Sequence, residues 1–574
     1  MAKSIRFSRQ DYSLLGIWVG LGALLRFSNL TFKSVWSDEW ATLVFSLGHS
    51  FREIPLDQLL SLGQLLEPLR YEGTTNLADV SQLLLAESNH PPLYYWLTHL
   101  WFNLWSQEGE FISIAVGRSP AAFFGVLLIP LTFGVSYWVI KDKWVAHSGA
   151  IAMALSPYAV YLSQEARHYT LAMIWITLSY GCLAKVIQAQ QQSRQAPLWV
   201  YGCWFIVNSL GIASHYFMVI TLFAEGLVLC LFYGHEVIQK WRKKASLKSF
   251  FLPHWQRTLV WAIASILLTM FLLNHWQSSN NVELTTWLNR DYGWGVKNFV
   301  PPLRSIAYTL GMIFILPVEV EQTWLVVVSV IAILGILIFL VPQIIIALKQ
   351  NWAQLEVKIF TYIILANLLT ILGIIYISKR DISLAPRYYF IYFPALMILL
   401  GVLFKYLWQQ VPDPRKIWFL RQRPSTLMII FLMALSSWFV NVDLAYHKPQ
   451  NNQAIAQILQ ENLNWNYPQI FVTHYFELGV VRTQMGLAWA LHQRDANLRP
   501  QFLILDNFFK QNSADQVLAT TLTDLSEPTQ VVMLNTHFAP PEPLCTLQPE
   551  ADDQQVIGYS YRLYLCLPQG EAAP

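Results

Sequence analysis

The chain has 574 residues, of which 55% are hydrophobic and only 13% are charged. This composition excludes an ordinary soluble globular protein and is typical of a membrane protein with several spans. The net charge is +3, and the basic residues lie in short clusters rather than along a groove, which argues against nucleic-acid binding.

The start of the chain predicts a retained membrane anchor with a cytoplasmic N-terminus. Lys3, Arg6 and Arg9 precede a long apolar run, and the small-residue cleavage site of a secretory signal does not follow. A span needs about 20 apolar residues, and about eleven segments meet this requirement. They lie near residues 12–30, 119–140, 145–162, 169–188, 198–214, 216–234, 257–275, 324–346, 359–377, 387–404 and 425–442.

The basic connections between these spans predict the orientation of the chain. With the N-terminus inside, every strongly basic connection falls on the cytoplasmic side, as the positive-inside rule requires. These connections are 141–143, 190–194, 235–257, 348–358 and 415–423. The outer face then carries the loops 31–118, 163–168, 276–302 and 378–386 and everything after about residue 443.

This orientation depends on the segment HPPLYYWLTHLWFNLW, residues 90–105. Its apolar residues recur at i, i+3, i+4 and i+7, which predicts a helix lying in the membrane interface with its aromatic side in the headgroup layer. If the segment spans instead, every later loop changes side, and that alternative stays open. Residues 305–317 are interpreted as similarly interfacial or re-entrant.

The tail after residue 443 differs from the rest because no part of it is long and apolar enough to span. Strands are predicted at 470–476, 501–509, 530–538 and 559–567, with a helix at 452–463. We therefore predict a membrane domain, 1–443, whose first outer loop is 31–118, and a small α/β domain on the outer face, 444–574.

Two of the five cysteines, Cys545 and Cys566, lie in this tail. An even pair in an oxidising compartment suits a disulfide, although spacing alone does not settle the pairing. The other three, Cys182, Cys203 and Cys230, lie in predicted spans, where a cysteine is typically a small apolar side chain.

Four polar clusters fall at the outer face, where ionisable residues beside a bilayer often mark a functional path. The first is SVWSDEWATL, residues 34–43, in which Asp38 and Glu39 lie between Trp36 and Trp40. A carboxylate partly desolvated by tryptophans gains base strength, so a general base is indicated. The alternative is a solvated acid pair, or charges that help to anchor a helix end.

The second cluster is NHPPLYYW, residues 89–96. The two prolines favour the first turn of a new helix, so His90 lies near a helix start at the interface. A lone histidine is more often structural than catalytic. Here it would bond a sugar hydroxyl or orient a carboxylate.

The third cluster is SPYAVYLSQEARHYTLA, residues 156–172, which places Glu165, Arg167, His168 and Tyr169 between two neighbouring spans. The guanidinium of Arg167 suits a phosphate group because its planar fork binds two oxygens at once. The alternative is an ion pair between Glu165 and Arg167 that pins a tight helical hairpin.

The fourth cluster combines SHYF, residues 214–217, with SKRDISLAPRYYF, residues 378–390. It adds hydrogen-bond donors at the same level of the membrane, among them His215, Arg380 and Arg387. Arginines at an outer face depart from the positive-inside pattern, which an anionic ligand such as a lipid phosphate diester would explain. The alternative is binding of anionic headgroups without chemistry.

The sequence resembles the GT-C glycosyltransferases, in particular the protein mannosyltransferases and the bacterial aminoarabinose and related sugar transferases. The resemblance covers about residues 10–450 and rests on motifs in a specific order. These are SDEWA after the first span, HPPLYYW, SPYAVYLSQEARHYTL, the HY pair and PRYYFIYFPALMILLG.

The resemblance implies roles for particular residues. The family's first-loop acid motif falls on Asp38 and Glu39, with Asp38 as the base. Its E-A-R-x-Y motif falls on Glu165, Arg167 and Tyr169.

A late R-Y motif falls on Arg387 and Tyr388, which the resemblance implies are phosphate ligands. His168 occupies the variable position between the arginine and the tyrosine of the earlier motif. The first loop carries an extra acidic, amphipathic part at 52–88, so acceptor recognition does not transfer, and the tail has no family match.

The resemblance implies an inverting hexosyl- or pentosyltransferase that moves a sugar from a polyprenyl-phosphate carrier to a lipid, polysaccharide or protein acceptor. The site would face outward from a bacterial inner membrane. No metal is expected to be obligatory, although an Asp-Glu pair is able to bind Mg²⁺ or Mn²⁺. The expected catalytic residues are Asp38 and Glu39, and the expected donor-binding residues are His90, Glu165, Arg167, His168, Tyr169, His215, Arg380, Arg387 and Tyr388.

Two other classes of function stay open. A flippase or transporter of lipid-linked glycans would also need arginines for a phosphate, but it should show charged groups near the bilayer midplane and internal repeats. The sequence shows neither feature. A scaffold with an inert membrane part would leave the polar clusters on one face unexplained.

Overall fold

The computed structural model describes residues 7–243, 252–276, 283–293, 295–320, 322–409, 422–506, 514–536, 539–541, 544–548, 554–556 and 558–568. Helices dominate these residues. They are α1 Arg9–Phe27, α2 Ser37–Leu47, α3 Leu62–Leu66, α4 Leu77–Glu87, α5 Leu93–Trp105, α6 Ile114–Ile140, α7 Lys143–Leu155, α8 Pro157–Ser163, α9 Tyr169–Gln191, α10 Leu198–Ser214, α11 Met218–Arg242, α12 Gln256–Trp276, α13 Val300–Gly311, α14 Thr323–Asn351, α15 Leu355–Ile377, α16 Phe393–Gln409, α17 Gln422–Asn441, α18 Asn452–Asn462, α19 Leu478–Arg494 and α20 Ala514–Thr523. The strands are β1 Leu59–Ser61, β2 Gln469–Tyr475, β3 Gln501–Asp506, β4 Thr529–Leu534, β5 Cys545–Leu547, β6 Gln554–Val556 and β7 Tyr559–Cys566.

The chain folds into two compact units. The first, called the membrane unit, comprises Met1–Leu30, Leu84–Tyr94 and Arg118–Tyr446. The second, called the sheet unit, comprises Thr31–Leu83, Tyr95–Gly117 and His447–Pro574. The predicted domain boundaries at 443 and 444 stay a prediction. The structure adds that much of the first predicted outer loop folds with the tail.

Several helices of the described residues are long and apolar enough to cross a membrane, and the protein is an integral membrane protein. Six qualify singly, and the bent pair of α7 and α8 would make a seventh. The six lie at Ile114–Ile140, Tyr169–Gln191, Met218–Arg242, Pro253–Trp276, Thr323–Asn351 and Leu355–Ile377. Three shorter apolar helices, Leu198–Ser214, Phe393–Gln409 and Ser425–Asn441, coincide with further predicted spans.

The total of eleven spans stays a prediction. The first predicted span, 12–30, forms the helix α1, Arg9–Phe27, which is not among the helices that pass this test of length and hydropathy. Parts of the basic connections on which the orientation depends, at 244–251 and 410–421, lie outside the described residues, as do Lys3 and Arg6.

The two segments interpreted as interfacial form short helices. Helix α5 has 13 residues and α13 has 12, so each is about 20 Å long at 1.5 Å per residue. The hydrocarbon core is about 30 Å thick. Neither helix is long enough to cross it, which disfavours the spanning alternative for residues 90–105.

The break between α7 and α8 is explained by its sequence. Pro157 cannot supply the N–H that would continue α7, and the Ser156 hydroxyl caps the new helix by accepting from the N–H of Ala159 at 3.2 Å. The two helices meet at a bend of 55°. The residues 164–168, which carry the third predicted cluster, follow directly after α8.

The sheet unit contains one mixed sheet with the strand order β1-β3-β2-β4-β7-β5, in which β6 also pairs with β7. Strands β3, β2 and β4 are parallel, because α19 and α20 provide the crossovers between them. The four predicted strands correspond to β2, β3, β4 and β7. The sequence analysis missed β1, β5 and β6, which have three residues each and are too short to show an alternating pattern.

A disulfide joins Cys545 and Cys566, which lie directly opposite each other on β5 and β7. Closing a loop of this length in the unfolded chain stabilises a fold by about 2–4 kcal/mol. We expect Cys566→Ser to lower the thermal midpoint of the sheet unit in the purified chain and to remove its sensitivity to reductant. The exposed Cys230 provides the control, because Cys230→Ser should change neither property. An unchanged midpoint in Cys566→Ser would contradict a stabilising role for this disulfide.

Candidate functional site

The predicted acid pair lies in the first turn of α2, in the sheet unit. Acidic residues at this end of a helix are stabilised by the helix dipole, which gives them a structural role independent of any chemistry. The two differ in exposure: Glu39 is fully buried, whereas Asp38 is partly exposed. Asp38 is the more accessible of the two carboxylates, and the catalytic roles predicted for Asp38 and Glu39 stay predictions.

Residues far along the chain hold the start of α2 within the sheet unit. The side-chain oxygen of Gln450 accepts from the N–H of Ser37 at 3.0 Å, across a separation of 413 residues. The amide of Asn452 donates to the carbonyl of Val35 at 2.5 Å, and its oxygen accepts from the Tyr559 hydroxyl at 2.7 Å. The segment that leads into α18 therefore fixes the backbone on which Asp38 is carried.

In the membrane unit, the predicted second and third clusters meet at Arg167 and His90. One terminal nitrogen of Arg167 lies 2.8 Å from Nε2 of His90, and Nδ1 of His90 lies 3.1 Å from the Ser88 hydroxyl. Because a guanidinium only donates, Nε2 accepts, and the proton of a neutral His90 is on Nδ1. His90 therefore orients a buried guanidinium, since Arg167 is only 2% exposed.

Two further histidines pack beside this pair. The rings of His168 and His215 are 4.3 Å apart, and that of His168 lies 5.0 Å from the ring of His90. Tyr169 and Phe390 contact the His215 ring at 5.5 Å and 4.8 Å. The structure thus brings His90, Arg167, His168, Tyr169 and His215 into one cluster, which we call the histidine cluster.

The histidines of this cluster are held neutral. Burial lowers the pKa of His168 well below its usual range, and the nearby His215, Arg167 and His90 lower it further. Burial is also the main cause of the lowered pKa of His215, whose Nδ1 accepts from the N–H of Phe217 at 3.0 Å. Fixed positive charge near these rings therefore comes from arginine rather than from imidazolium.

The lowered pKa of His168 predicts that the stability of the folded chain depends on pH. An unfolded histidine titrates near pH 6.5, so the unfolded chain binds more protons below that pH and the stabilisation is lost as the pH falls toward the folded pKa. We expect the thermal midpoint to fall from pH 7.5 to pH 5, and to fall less in His168→Gln. The exposed His235 is the control, and equal pH slopes in His168→Gln and His235→Gln would contradict the assignment.

Arg387 and Tyr388 lie on a short 3₁₀ helix, Pro386–Ile391. The predicted span at 387–404 is wrong at its start, because α16 begins only at Phe393. The guanidinium carbon of Arg387 lies 5.2 Å from the ring centre of Tyr388 and 5.9 Å from that of Trp287. Arg387 is 8% exposed, and its guanidinium lies over two aromatic rings. A guanidinium packed in this way is still able to bind a phosphate group.

Contacts within the membrane unit connect this 3₁₀ helix to the histidine cluster. The hydroxyl of Tyr158 lies 2.9 Å and 3.0 Å from the carbonyl oxygens of Pro386 and Arg387, and Tyr158 belongs to α8, directly before residues 164–168. The ring of Phe217 lies 4.6 Å from that of Tyr388. Packing therefore joins the two arginine-bearing segments, although they are more than two hundred residues apart in sequence.

The remaining predicted residues are Glu165 and Arg380, which differ from each other in exposure. Glu165 is fully buried, in the turn whose Gln164 amide donates to the carbonyl of Ser28 at 2.8 Å. Arg380 is exposed, and its neighbour Lys379 forms an exposed ion pair with Asp291 at 2.6 Å. The donor-binding roles of Glu165 and Arg380 stay predictions.

The sequence analysis did not identify a buried acid next to these cations. Asp381 is fully buried, pairs with Arg304 at 3.1 Å and accepts from the N–H of Ser383 at 3.0 Å. It lies within the motif SKRDISLAPRYYF, but its partner is 77 residues away in sequence. Asp381 fixes the loop that leads to Arg387.

The sequence leaves open that the Asp-Glu pair binds Mg²⁺ or Mn²⁺. Within the described ranges, no group of three or more His, Cys, Asp or Glu side chains is arranged to hold a metal ion.

The fold of this chain is also found in a solved structure. No family model matches the sequence, and no curated protein matches it. The structure of ArnT from Cupriavidus metallidurans bound to undecaprenyl phosphate is similar at a TM-score of 0.51 with 11% identity, over 99% of this chain and 100% of that one. The chain therefore shares the fold of this ArnT structure, which is the fold that the resemblance in sequence implies.

Other solved structures are less similar. The apo state of ArnT from Cupriavidus metallidurans has a TM-score of 0.48 with 11% identity, over 97% of this chain and 98% of that one. The oligosaccharyltransferase AglB from Archaeoglobus fulgidus has a TM-score of 0.44 with 12% identity, over 92% of this chain and 69% of that one. Both scores are below 0.5.

Proposed function

We propose that this protein is an inverting glycosyltransferase that takes a sugar from a polyprenyl-phosphate carrier and gives it to an acceptor hydroxyl outside the cytoplasm. The observation that carries the proposal is the pair of buried, aromatic-lined guanidinium groups, Arg167 and Arg387, on segments that packing joins. The planar fork of a guanidinium donates to two oxygens of a phosphate at once, and it suits a phosphate better than an ammonium does. The ArnT structure with the same fold contains undecaprenyl phosphate, and a lipid phosphate would suit these arginines.

The leaving group of the proposed reaction is the carrier phosphate. As the bond between the anomeric carbon and the phosphate oxygen breaks, a phosphodiester becomes a monoester and gains negative charge. Arg167 and Arg387 would stabilise that charge. The neutral His90 would keep the fork of Arg167 oriented, and the neutral rings of His168 and His215 would exclude water without adding charge.

The nucleophile is the acceptor hydroxyl, and Asp38 would take its proton as the oxygen attacks the opposite face of the anomeric carbon. One bond forms and one breaks in a single displacement, so the configuration is inverted and no covalent sugar–enzyme intermediate is formed.

The disulfide supports an extracytoplasmic position for the sheet unit. Disulfides persist in oxidising compartments and are rare in the cytosol, and Cys545 and Cys566 are paired. The acceptor side of the reaction, which includes Asp38 in the same unit, would therefore face outward. A bacterial inner membrane is the setting that fits this arrangement.

The test is incubation of the purified chain in lipid nanodiscs with a panel of polyprenyl-phosphate hexoses and pentoses and candidate acceptors. Release of sugar-free polyprenyl phosphate, followed by mass spectrometry, is the expected result for one member of the panel. Movement of an intact sugar-carrying lipid between leaflets, with no carrier release, would contradict the proposal and favour a flippase.

A further inference from the structure

The sheet unit contains a cavity to which the proposed function has not yet assigned a ligand. Its volume is about 920 Å³, within the range of about 300–1,000 Å³ that holds small ligands. All of its lining residues belong to the sheet unit, and they come from the start of α2, the segment before α6, and the helices α18 and α19.

A row of aromatic rings forms one part of the lining. The ring of Trp489 lies 5.8 Å from that of Trp40 and 6.4 Å from that of Phe111, and His492 contacts Phe111 at 6.3 Å. Trp489 and Phe111 are partly exposed. They present flat apolar faces to whatever enters the cavity.

Trp40 contributes a donor that is available to a ligand. Its side chain is fully buried, and its indole N–H has no hydrogen-bond partner among the described residues, although a buried indole N–H normally has one. Gly486 also lines the cavity and lies next to the Trp40 indole. A Cβ added at Gly486 would lie 3.0 Å from the Trp40 indole nitrogen and 2.4 Å from the side-chain nitrogen of Asn452, so a larger residue would crowd both side chains.

Exposed amide side chains complete the lining. Gln453, Gln457 and Gln493 all line the cavity and are exposed, and each amide offers both donors and acceptors. The charged residues of the lining have both signs: Lys33 and Arg494 are basic, and Glu110 is acidic. A strongly anionic ligand and a bare acyl chain both fit this lining poorly.

We propose that this cavity binds sugar residues of the acceptor, which would make the acceptor a glycan or a glycan-bearing molecule. A sugar ring has apolar C–H faces that stack on aromatic rings and hydroxyl groups that both donate and accept, and the lining offers partners for both. This inference rests on the proposed function, because it names the acceptor class of the same reaction. Trp40 lies two residues after Asp38 on α2, so a sugar bound there would be held by the helix that carries the base.

The test measures binding of soluble, lipid-free oligosaccharides to the full chain in nanodiscs, which avoid detergents with sugar headgroups. The panel contains neutral hexose and N-acetylhexosamine oligomers, and binding is followed by saturation-transfer NMR and calorimetry. At least one oligomer should bind, with affinity at least tenfold lower in Trp489→Ala. Trp465→Ala is the matched control because Trp465 is a partly exposed tryptophan of the same unit that does not line this cavity.

Gly486→Ala is the second variant, since its Cβ would displace the Trp40 and Asn452 side chains, and it should also lose binding. No binding by any oligomer, equal affinity in Trp489→Ala and Trp465→Ala, or displacement of the oligomer by short unglycosylated peptides would overturn the inference. Carrier release is measured on the same preparation. If the chain releases the carrier but binds no oligosaccharide, only this inference is contradicted. If it binds an oligosaccharide but releases the carrier with none of the donors tested, the proposed function is contradicted.

Discussion

Asp38→Asn should reduce sugar transfer by a factor of about 10²–10⁴, the usual contribution of a general base, while carrier binding is retained. The amide keeps the size and hydrogen-bonding shape of the side chain but cannot accept the proton of the acceptor hydroxyl. Initial rates of carrier release with saturating donor, together with donor affinity from a separate binding measurement, would show the two effects independently.

The first-turn position of Asp38 makes a structural control necessary. Loss of a charge at a helix start costs about 0.3–1 kcal/mol, which a thermal midpoint would register. Asp79 lies in the first turn of α4 and accepts from the backbone N–H of Asn76 at 2.8 Å, so Asp79→Asn removes a comparable charge from a helix outside the proposed site. Equal transfer rates in Asp38→Asn and the wild type would remove Asp38 from the mechanism.

The second large effect is expected at Arg167. Arg167→Gln should lower transfer about 10²–10³-fold, as is typical when one donor to a developing negative charge is removed, and should also weaken binding of the carrier phosphate. Arg167→Lys keeps the charge but loses the planar fork that contacts His90, so its rate should lie between those of the wild type and the glutamine variant.

Lys349, an exposed cation at the end of α14, is the matched control for loss of one positive charge. Lys349→Gln should leave both transfer and carrier affinity unchanged. If Arg167→Gln bound the polyprenyl phosphate as tightly as the wild type and transferred sugar at the same rate, the phosphate role of the histidine cluster would be refuted.

Much of the membrane unit could be predicted from sequence because span formation depends on local composition. Runs of apolar residues near 169–188, 324–346 and 359–377 became helices with nearly those bounds. The polar residues of the third cluster were equally visible, since Glu165, Arg167 and His168 interrupt an otherwise apolar stretch. Local signals of this kind require no knowledge of the partner segments.

Features set by distant partners were not visible in the sequence. The pairing of β1 with β3 joins residues more than four hundred positions apart. The hydrogen bond between the N–H of Ser37 and the side chain of Gln450 spans a similar separation. The ion pair of Asp381 with Arg304 was missed for the same reason. The sequence also does not show that Asp38 is partly exposed and that Glu39 is buried.

The start of α16 shows a local limit as well. The apolar run from 387 suggests a continuous span, but Pro386 begins a 3₁₀ helix that ends at Ile391, and the α-helix begins only at Phe393. A hydropathy pattern does not distinguish a 3₁₀ turn from the first turn of an α-helix. The turn matters for the site because it carries Arg387 and Tyr388.

The proposed mechanism requires Asp38 and Arg167 to act on one carrier-linked sugar. The most direct measurement is a cryo-electron microscopy map of the full chain in nanodiscs with a bound polyprenyl-phosphate sugar. We predict density for the phosphate within hydrogen-bonding distance of the Arg167 guanidinium, with the Asp38 carboxylate facing the anomeric carbon from the side opposite the phosphate. A bound phosphate away from the histidine cluster, or an Asp38 carboxylate that no acceptor hydroxyl on that sugar could reach, would contradict the claim.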